Sequence, residues 1–262
     1  MKKLKIIKIG GKVIDDSESL DQFLSDFSEI EGAKILVHGG GKIASDFGSR
    51  LGIEPKLIEG RRITDDATLE LVTMVYGGLV NKNIVVKLQA LDEDAIGLTG
   101  ADANIISAVK RPVKTIDYGF AGDVTKDNVN VGNLSKLIDA RLAPVVCPLT
   151  HDGKGQILNT NADTIASVLA AALCSIYEVS LVYCFEQKGV LSDFEEKVVI
   201  EEINSDAYET LKANGTIHEG MIPKMDNAFD ALKAGVTSVR IGSFDNLSDL
   251  IGKISGTLIK LN

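Results

Sequence analysis

Twice near its start, this chain has an apolar run that ends on consecutive glycines and is followed by a segment with helical spacing. The first run covers residues 6–9 and leads into Gly10 and Gly11, and the second covers residues 35–38 and leads into the glycines at 39–41. Glycine lets the backbone approach a ligand closely, and the start of a helix presents unpaired N–H groups and a positive dipole end to an anion. A strand–glycine–helix unit that occurs twice therefore predicts an α/β protein that binds phosphate groups.

The rest of the chain continues this alternation of strand and helix patterns. Its 262 residues can form one large domain or two lobes, and no linker, long repeat or low-complexity tract divides them. The alternation predicts a mostly parallel sheet covered on both faces, with a lobe boundary near residue 175. Hairpins are predicted over residues 112–133, where several glycines and β-branched residues occur. The further predicted strands cover residues 34–37, 95–99, 143–149, 156–158, 179–185 and 238–242. The predicted helices cover residues 16–30, 42–51, 65–92, 162–174, 207–213, 223–234 and 247–254.

Composition and charge exclude several classes of protein. The net charge of −9 argues against a nucleic-acid partner, because phosphate backbones require clustered lysines and arginines. Cys147, Cys174 and Cys184 lie in apolar surroundings without metal-binding spacing, so we predict reduced, buried thiols in a cytoplasmic protein. Lys5 and Lys8 interrupt the first apolar run, which rules out a signal-peptide core, and no apolar stretch reaches the ~18 residues of a membrane span. We therefore expect no membrane partner.

Two lysines stand in positions that general rules disfavour. Lys8 lies inside the first apolar run, and an unpaired ammonium in a buried strand is costly. It is either a strand-end lysine that reaches solvent or a phosphate ligand, and the adjacent glycines favour the phosphate ligand. Lys224 follows Pro223 in the first turn of a predicted helix, where a cation opposes the helix dipole. Lys224 is therefore a candidate functional residue, unless its side chain simply extends into water.

Two loops carry side chains that suit a polar or acidic ligand. Arg61 and Arg62 precede a predicted helix, and one of them could clamp a carboxylate while the other is solvated. Asn161 and Asp163 suit the start of the next helix, as a cap and as a first-turn acid. That structural role leaves Asn159 unexplained, and two amides and a carboxylate at a strand-to-helix turn suit either a polar substrate or a group that orients a lysine.

Several common kinds of site are not indicated. Neither glycine loop fits the GxxxxGK[ST] pattern of a P-loop or the GxGxxG pattern of dinucleotide-binding folds. His38, His151 and His218 have no metal-ligand spacing, and no Ser–His–Asp triad is suggested. We predict no metal ligands in the protein itself.

Five short motifs occur in order along nearly the whole chain. They are Lys8-Ile9-Gly10-Gly11, Val37-His38-Gly39-Gly40-Gly41, Glu59-Gly60-Arg61-Arg62-Ile63-Thr64, Asn159-Thr160-Asn161-Ala162-Asp163 and Gly220-Met221-Ile222-Pro223-Lys224. Residues 119–124 and 256–259 add two weaker matches. Each motif is modest alone, but the ordered set resembles the amino acid kinase family. The resemblance implies one continuous fold, an α/β three-layer αβα sandwich with a mainly parallel central sheet. Residues 1–175 would bind an N-acylglutamate, and residues 176–262 would bind ATP.

The resemblance also implies a reaction, the ATP-dependent phosphorylation of the γ-carboxylate of an N-acylglutamate in arginine biosynthesis. Lys8 and Lys224 would stabilise charge on the transferring phosphoryl group, and Asp163 would hold the two lysines. A carboxylate is already a nucleophile, so the transfer needs positioning and charge stabilisation but no catalytic base. Mg²⁺ would be carried by ATP. The remaining residues that the resemblance assigns are Gly10 and Gly11 for phosphate, Glu186 and Gly189 for ATP, and Gly40, Gly41, Arg62 and Asn159 for the acylglutamate.

The chain departs from the family pattern in three places. The nucleotide loop usually reads Ser/Thr-Asp-x-x-Gly, whereas here Phe185 replaces the hydroxyl residue and Glu186 keeps the charge. Residues 61–80 also diverge, so N-succinyl-L-glutamate is an alternative to N-acetyl-L-glutamate as the acceptor. The chain starts almost directly at its first strand, without the helical extension of arginine-inhibited hexameric relatives. The resemblance therefore implies an arginine-insensitive homodimer.

Two other interpretations stay open. The chain could be another amino acid kinase, acting on glutamate, carbamate or UMP. It could also be a non-catalytic ligand sensor of the same fold, which the loop at Phe185 and Glu186 favours. The joint presence of Lys8, Asp163 and Lys224 favours an enzyme.

Overall fold

An eight-stranded, mainly parallel sheet forms the centre of the protein. The computed structural model describes residues 1–58, 61–193, 195–217 and 220–262. The strands are β1 (Lys2–Ile9), β2 (Ala33–His38), β3 (Leu57–Ile58), β4 (Arg61–Arg62), β5 (Ala95–Leu98), β6 (Val109–Lys110), β7 (Gly122–Asp123), β8 (Ala143–Val146), β9 (Leu149–His151), β10 (Ile157–Asn159), β11 (Tyr177–Phe185), β12 (Leu191–Asp193), β13 (Val198–Val199), β14 (Glu202–Ile203), β15 (Ser238–Ser243) and β16 (Thr257–Ile259). The order of the sheet is β14-β16-β15-β11-β1-β2-β8-β5, and within the described residues only β15 and β16 pair in antiparallel fashion.

Helices cover both faces of this sheet. They are α1 (Gly11–Asp15), α2 (Ser17–Ser28), α3 (Gly41–Arg50), α4 (Asp66–Val72), α5 (Asn81–Gln89), α6 (Val131–Asp139), α7 (Ala162–Leu173), α8 (Ser205–Ala213), α9 (Ile222–Lys233) and α10 (Leu247–Ile251). A π-helix, Thr73–Val80, joins α4 to α5. Helices α6 to α9 pack on one face, and α1 to α5 with α10 pack on the other. The predicted three-layer αβα sandwich is confirmed.

Strand alternation decides which face each side chain of the central strands meets. In β1, Leu4 and Ile6 belong to the core under α6 to α9, whereas Ile7 and Ile9 belong to the core on the other face. Successive side chains of a strand point to opposite faces, so Lys8 shares the face of Leu4 and Ile6. The same alternation in β2 turns His38 toward the helices of the opposite face.

Strand β1 is also the point where the strand order changes direction. From β1 the sheet extends through β2 on one side and through β11 on the other, and all three strands are parallel. Ile9 is paired with His38 and with Cys184, so the loops that follow these strands emerge side by side. In open α/β sheets, ligands bind at the carboxyl ends of strands at such a switch point. The fold therefore brings the two glycine turns and the loop at 185–190 together.

Most of the predicted elements are confirmed, with end points that differ by a few residues. The strand predicted over 143–149 is divided into β8 and β9 at residues 147–148, because Pro148 has no N–H to continue the ladder. The hairpins predicted over 112–133 are wrong for most of that segment. Only β7 lies in it as a strand, and helix α6 begins at Val131 behind an Asn130 cap. Gly132 in the first turn of α6 obscured the helical spacing of Leu134 and Ile138.

The long helical stretch over residues 66–89 differs from expectation in two ways. It is divided by the π-helix, and its 24 residues are long and apolar enough, by length and composition alone, to cross a membrane. No stretch of that kind was expected from the sequence. Eight of its side chains are buried in the protein core: Leu69, Leu71, Val72, Val75, Tyr76, Val80, Ile84 and Leu88.

The cysteines are free thiols, and two of the three are buried as predicted. Burial raises the pKa of Cys147 and of Cys184 to about 12, so both remain protonated at neutral pH. Cys174 is only partly buried at the end of α7, where its Sγ contacts the carbonyl oxygens of Ala171 and Ala234, each at 3.1 Å.

Candidate active site

Three charged side chains from three elements meet at the carboxyl end of β1. Lys8 Nζ lies 2.6 Å from Asp163 Oδ1, and Lys224 Nζ lies 2.7 Å from Asp163 Oδ2. Lys8 and Asp163 are 7% and 8% exposed. Charged groups are buried at acceptable cost only when they are paired. One carboxylate therefore holds two ammonium groups that come from opposite ends of the chain.

Local structure explains how each charge arrives there. Strand alternation turns Lys8 toward α7 and α9. Asn161 caps α7 by accepting hydrogen bonds from two first-turn N–H groups, at 2.8 and 3.1 Å, which places Asp163 in the first turn. Pro223 lies at the start of α9, and Lys224 follows it in the same turn. The predicted cap and both predicted first-turn positions are confirmed.

The two lysines of this cluster favour the ionised form of the carboxylate between them. Burial alone would raise the pKa of Asp163, but the charges of Lys8 and Lys224 outweigh it and lower the pKa to about 2. Burial lowers the pKa of Lys8, and the adjacent carboxylate of Asp163 opposes that change. Two ammonium groups and one carboxylate leave one net positive charge in a water-poor position. That arrangement suits a ligand with phosphate oxygens.

A cavity of about 380 Å³ opens beside this cluster. Lys8, Lys224 and all four residues predicted to bind phosphate or ATP contribute to its wall: Gly10, Gly11, Glu186 and Gly189. Phe185 lies in the wall as well, where the family usually has a small hydroxyl residue. Sequence reasoning did not identify Thr216 and Ile217 as wall residues, although they precede the motif at 220–224. His218 and Glu219, in the same segment, lie outside the described residues.

The glycines around the cavity have different physical reasons. A Cβ on Gly10 would lie 3.6 Å from the carbonyl oxygen of Cys184, which is ordinary contact, so packing does not require glycine there. A Cβ on Gly189 would lie 2.5 Å from Val199 Cγ1, so close packing requires that glycine. Helix α1 begins at Gly11 and is only five residues long, so its dipole contributes little to anion binding. The unpaired N–H groups at its start are then the main feature that could bind phosphate.

The second glycine turn is packed against Arg62 and Tyr76. Gly40 has a φ of +146°, and a Cβ there would lie 3.1 Å from Tyr76 Cδ1, so both backbone and packing require glycine. Arg62 Nη2 donates to the carbonyl oxygen of Gly41 and to Ser45 Oγ, both at 2.8 Å. Within the described residues, both of these hydrogen bonds use Nη2, which leaves Nε and Nη1 as candidate donors to a ligand carboxylate. Sequence reasoning missed Tyr76, because it lies in an apolar helix and gives no separate signal.

Asn159 joins the Arg62 segment to the start of α7. Its Nδ2 donates to Thr64 Oγ1 at 3.0 Å, and Thr64 Oγ1 lies 3.2 Å from the carbonyl oxygen of Arg62. Gly119, in a motif that matched only weakly, packs so closely on Thr64 that a Cβ would lie 2.2 Å from the Thr64 carbonyl oxygen. The residues predicted to bind the acylglutamate are thus connected to one another next to the second glycine turn.

No metal centre is found in the part of the chain that the structure describes, where no group of three or more His, Cys, Asp and Glu side chains could hold an ion. The site instead presents ammonium groups, a guanidinium and backbone N–H groups to a bound molecule. This donor set is typical of an α/β protein that binds phosphorylated and carboxylated ligands at the edge of its sheet.

The comparisons with known proteins agree with that class. The model of the amino acid kinase family matches residues 3–243. The chain therefore belongs to the amino acid kinase family. It is 58% identical to the acetylglutamate kinase of Cytophaga hutchinsonii, with 100% of each chain covered. It is 56% identical to the acetylglutamate kinase of Phocaeicola vulgatus, with 98% of each chain covered. Among solved structures it resembles smu.665 from Streptococcus mutans, with a TM-score of 0.79, 30% identity and 99% of each chain covered.

Proposed function

We propose that this chain transfers the γ-phosphoryl group of ATP to the γ-carboxylate of an N-acylglutamate, with N-acetyl-L-glutamate as the acceptor. The observation that carries the proposal is the pair Lys8 and Lys224 on one buried carboxylate, beside a cavity of about 380 Å³. The relatives named acetylglutamate kinase, at 58% and 56% identity over nearly the full length, support the choice of acceptor. The reaction would belong to arginine biosynthesis, as the family resemblance implies.

In this proposal the two ligands occupy opposite sides of the cluster. ATP lies in the cavity, in the part formed mainly by residues 176–262, with its phosphates against Gly10 and Gly11. The acylglutamate lies over residues 1–175, between the second glycine turn and Arg62. The two ligands then meet at Lys8 and Lys224, at the switch point of the sheet.

The chemical step is a single displacement at phosphorus. A γ-carboxylate oxygen forms a bond to the γ-phosphorus of ATP, and the bond between that phosphorus and the β,γ-bridging oxygen breaks to release ADP. Negative charge shifts toward the leaving oxygen while the phosphoryl group is between its two partners. Lys8 and Lys224 stabilise that charge, and Asp163 keeps both ammonium groups fixed before the ligands arrive. No residue has to remove a proton, because the acceptor is already ionised at neutral pH.

The site fits Mg²⁺ that arrives with ATP rather than a metal held by the protein. The cavity offers cations and N–H groups to phosphate oxygens, with the carboxylate of Glu186 also in its wall. The described residues contain no group of three or more His, Cys, Asp and Glu side chains that could hold an ion. When bound, Mg²⁺ would neutralise part of the phosphate charge.

An acceptor panel in a coupled assay for ADP release tests the proposal. We expect turnover with N-acetyl-L-glutamate, and a preference for N-succinyl-L-glutamate would reassign the acyl group. Equal turnover with free glutamate, carbamate or UMP would instead indicate another member of the family. Binding of acylglutamate without any ADP release would identify a ligand sensor.

Arg62→Ala should raise the KM for the acylglutamate by roughly ten- to a hundredfold, which corresponds to loss of a charge-assisted hydrogen bond. In this proposal the guanidinium of Arg62 binds a carboxylate of the acylglutamate, and Arg62 does not line the cavity assigned to ATP. Arg61→Ala is the matched control, since Arg61 is the adjacent arginine and its side chain is exposed. Steady-state kinetics with each substrate varied in turn provide the measurement. An unchanged acylglutamate KM in Arg62→Ala would refute the clamp.

We also propose a homodimer in the cytoplasm. The helical stretch over residues 66–89 is apolar, and two of its apolar side chains are exposed to solvent, Met74 at 59% and Val86 at 62%. A second copy covering that face would remove these side chains from water. The free cysteines are typical of a reducing compartment. Light scattering coupled to size-exclusion chromatography should give a mass near 56 kDa, twice the 28.0 kDa of one chain. A mass near 28.0 kDa would contradict the dimer.

A further inference from the structure

A buried histidine lies beneath the second glycine turn, on the face of the sheet opposite Lys8. His38 is the last residue of β2 and is 0% exposed. Its Nδ1 lies 2.7 Å from the carbonyl oxygen of Gly39, and its Nε2 lies 3.0 Å from Nδ2 of Asn81. Asn81 begins α5 and is 1% exposed. The roles assigned above do not use either residue, yet buried polar groups are costly unless their partners are well placed.

The partners of Asn81 determine how the histidine ring is protonated. Lys82 Nζ donates to Asn81 Oδ1 at 3.1 Å, and Asn81 Nδ2 donates to the carbonyl oxygen of Val145 at 2.9 Å. An ammonium can only donate and a carbonyl can only accept, so the amide has one orientation. Burial lowers the pKa of His38 to about 4, so the ring is neutral. Its Nε2 accepts from Asn81, and its Nδ1 carries the hydrogen that is donated to Gly39.

The neighbouring elements are shaped around these side chains. Gly97 lies in edge strand β5, and a Cβ there would lie 1.9 Å from Asn81 Oδ1 and 2.6 Å from Lys82 Nζ. Only glycine leaves room for the amide and the ammonium at that point. Asn81 directly follows the π-helix whose Tyr76 packs on Gly40, so one helical stretch supports the glycine turn through two contacts. Departures from α-helical geometry of this kind occur frequently at functional sites.

The consequence for the glycine turn follows from peptide geometry. The chain has no cis peptide bonds in its described part, and in a trans peptide the C=O and N–H point in opposite directions. The Gly39 carbonyl oxygen lies against the His38 ring, so the N–H of Gly40 points away from that ring. The glycine turn itself lies at the carboxyl edge of the sheet, where β2 ends. Gly10 and Gly11 emerge beside it there, because Ile9 is paired with His38. Within the described residues, the N–H of Gly40 has no hydrogen-bond acceptor.

We propose that His38, held by Asn81, is a positioning residue that aims the N–H of Gly40 at the acceptor carboxylate and the phosphoryl group moving toward it. The inference rests on the proposed function, because it assumes that an anionic acceptor lies above the glycine turn. With this role, the buried side chains of His38 and Asn81, together with Lys82 and Gly97, share one purpose, which is to hold a single backbone N–H in place before the ligand binds.

Two substitutions test the roles of the two ring nitrogens of His38 independently. His38→Asn places an amide N–H near the position of Nδ1 and keeps the donor to Gly39. His38→Gln places its amide near the position of Nε2 and leaves the Gly39 carbonyl without a donor. We expect His38→Asn to keep kcat/KM for the acylglutamate within about threefold and His38→Gln to lower it by about tenfold or more, since small misplacements in an active site are costly. The KM for ATP should stay unchanged in both variants.

Melting temperatures distinguish positioning from a merely structural role, because each variant removes one hydrogen bond from the same buried ring. Equal loss of activity in both variants, in step with equal loss of stability, would overturn the proposal. Full activity in His38→Gln would overturn it as well.

Long-range ¹H–¹⁵N NMR of the unsubstituted protein tests the hydrogen-bond relay from Asn81 through His38 to Gly39 without an activity assay. We expect the tautomer with the hydrogen on Nδ1, and a spectrum with the hydrogen on Nε2 would contradict the relay directly. If no N-acylglutamate is phosphorylated, the proposed function fails, and the tautomer still reports on the geometry of the relay.

Discussion

Replacing Lys8 or Lys224 by alanine should lower kcat by at least about a hundredfold, while the KM values for ATP and acylglutamate change by less than about threefold. Both ammonium groups lie on Asp163, at 2.6 and 2.7 Å, where charge would develop during phosphoryl transfer. An interaction that strengthens in the transition state affects kcat, whereas one made equally in the ground state affects KM. Steady-state kinetics of the two variants, with each substrate varied in turn, provide the measurement.

A matched control for Lys224 exists on the same helix. Lys233 is exposed at the other end of α9, and Lys233→Ala should keep full activity. Melting temperatures of all three variants show whether the loss of kcat reflects unfolding. Changes confined to KM in Lys8→Ala or Lys224→Ala would reassign that lysine to ground-state binding.

Asp163→Asn should reduce activity by a similar factor of about a hundred or more and should also destabilise the fold by about 3 kcal/mol at neutral pH. The amide keeps the shape of the side chain but removes the charge that compensates Lys8, which is only 7% exposed. Leaving one member of a buried ion pair without its partner is among the more destabilising single changes. Denaturant unfolding gives the free energy of unfolding. Trapping the acyl phosphate with hydroxylamine and measuring the hydroxamate formed gives the activity. Stability equal to that of the unsubstituted protein would contradict the role given to Asp163.

The pH dependence of stability provides an independent check on the same carboxylate. The pKa of Asp163 is lowered from 3.8 to about 2 in the folded protein, with Lys8 and Lys224 overcoming the effect of burial. A depressed folded-state pKa contributes stability that is present above about pH 4 and is lost as the pH falls toward 2, on the order of 2 kcal/mol. The difference in unfolding free energy between the unsubstituted protein and Asp163→Asn should therefore shrink below pH 4. A difference that stays constant over that range would show that Asp163 carries no stabilising charge.

Short sequence patterns predicted the structural features that depend on only a few adjacent residues. The apolar runs and glycine turns at Gly10 and at 39–41 fixed the strand–turn–helix units, because backbone freedom and helix starts depend on a few adjacent residues. The Asn161 cap and the first-turn position of Lys224 followed from capping rules in the same way. Pattern reasoning failed over residues 112–133, where Gly132 obscured helix α6.

The composition of the site could not be obtained from spacing alone. Lys8, Asp163 and Lys224 meet because β1 lies at the switch point of the sheet and α7 and α9 pack over it, and only the ordered family motifs indicated that convergence. Asn81 and Gly97 carried no signal, since an asparagine and a glycine between apolar residues are unremarkable until the fold places them around His38. Tyr76 was hidden for the same reason, inside an apolar helix whose π-helical register is not visible in sequence.

The transfer of one oxygen atom tests the proposed reaction most directly. N-acetyl-L-glutamate labelled with ¹⁸O in its γ-carboxylate, incubated with ATP, Mg²⁺ and the protein, should give an acyl phosphate whose bridging oxygen is labelled. Hydroxylamine attacks the carbonyl carbon of that product and releases phosphate together with the hydroxamate, and mass spectrometry of the phosphate counts its ¹⁸O atoms. We expect one ¹⁸O in each phosphate released by hydroxylamine, and none when only the α-carboxylate is labelled. Unlabelled phosphate from the γ-labelled substrate would show that the acceptor is water or another group, and the assignment of Lys8, Asp163 and Lys224 to carboxylate phosphorylation would be wrong.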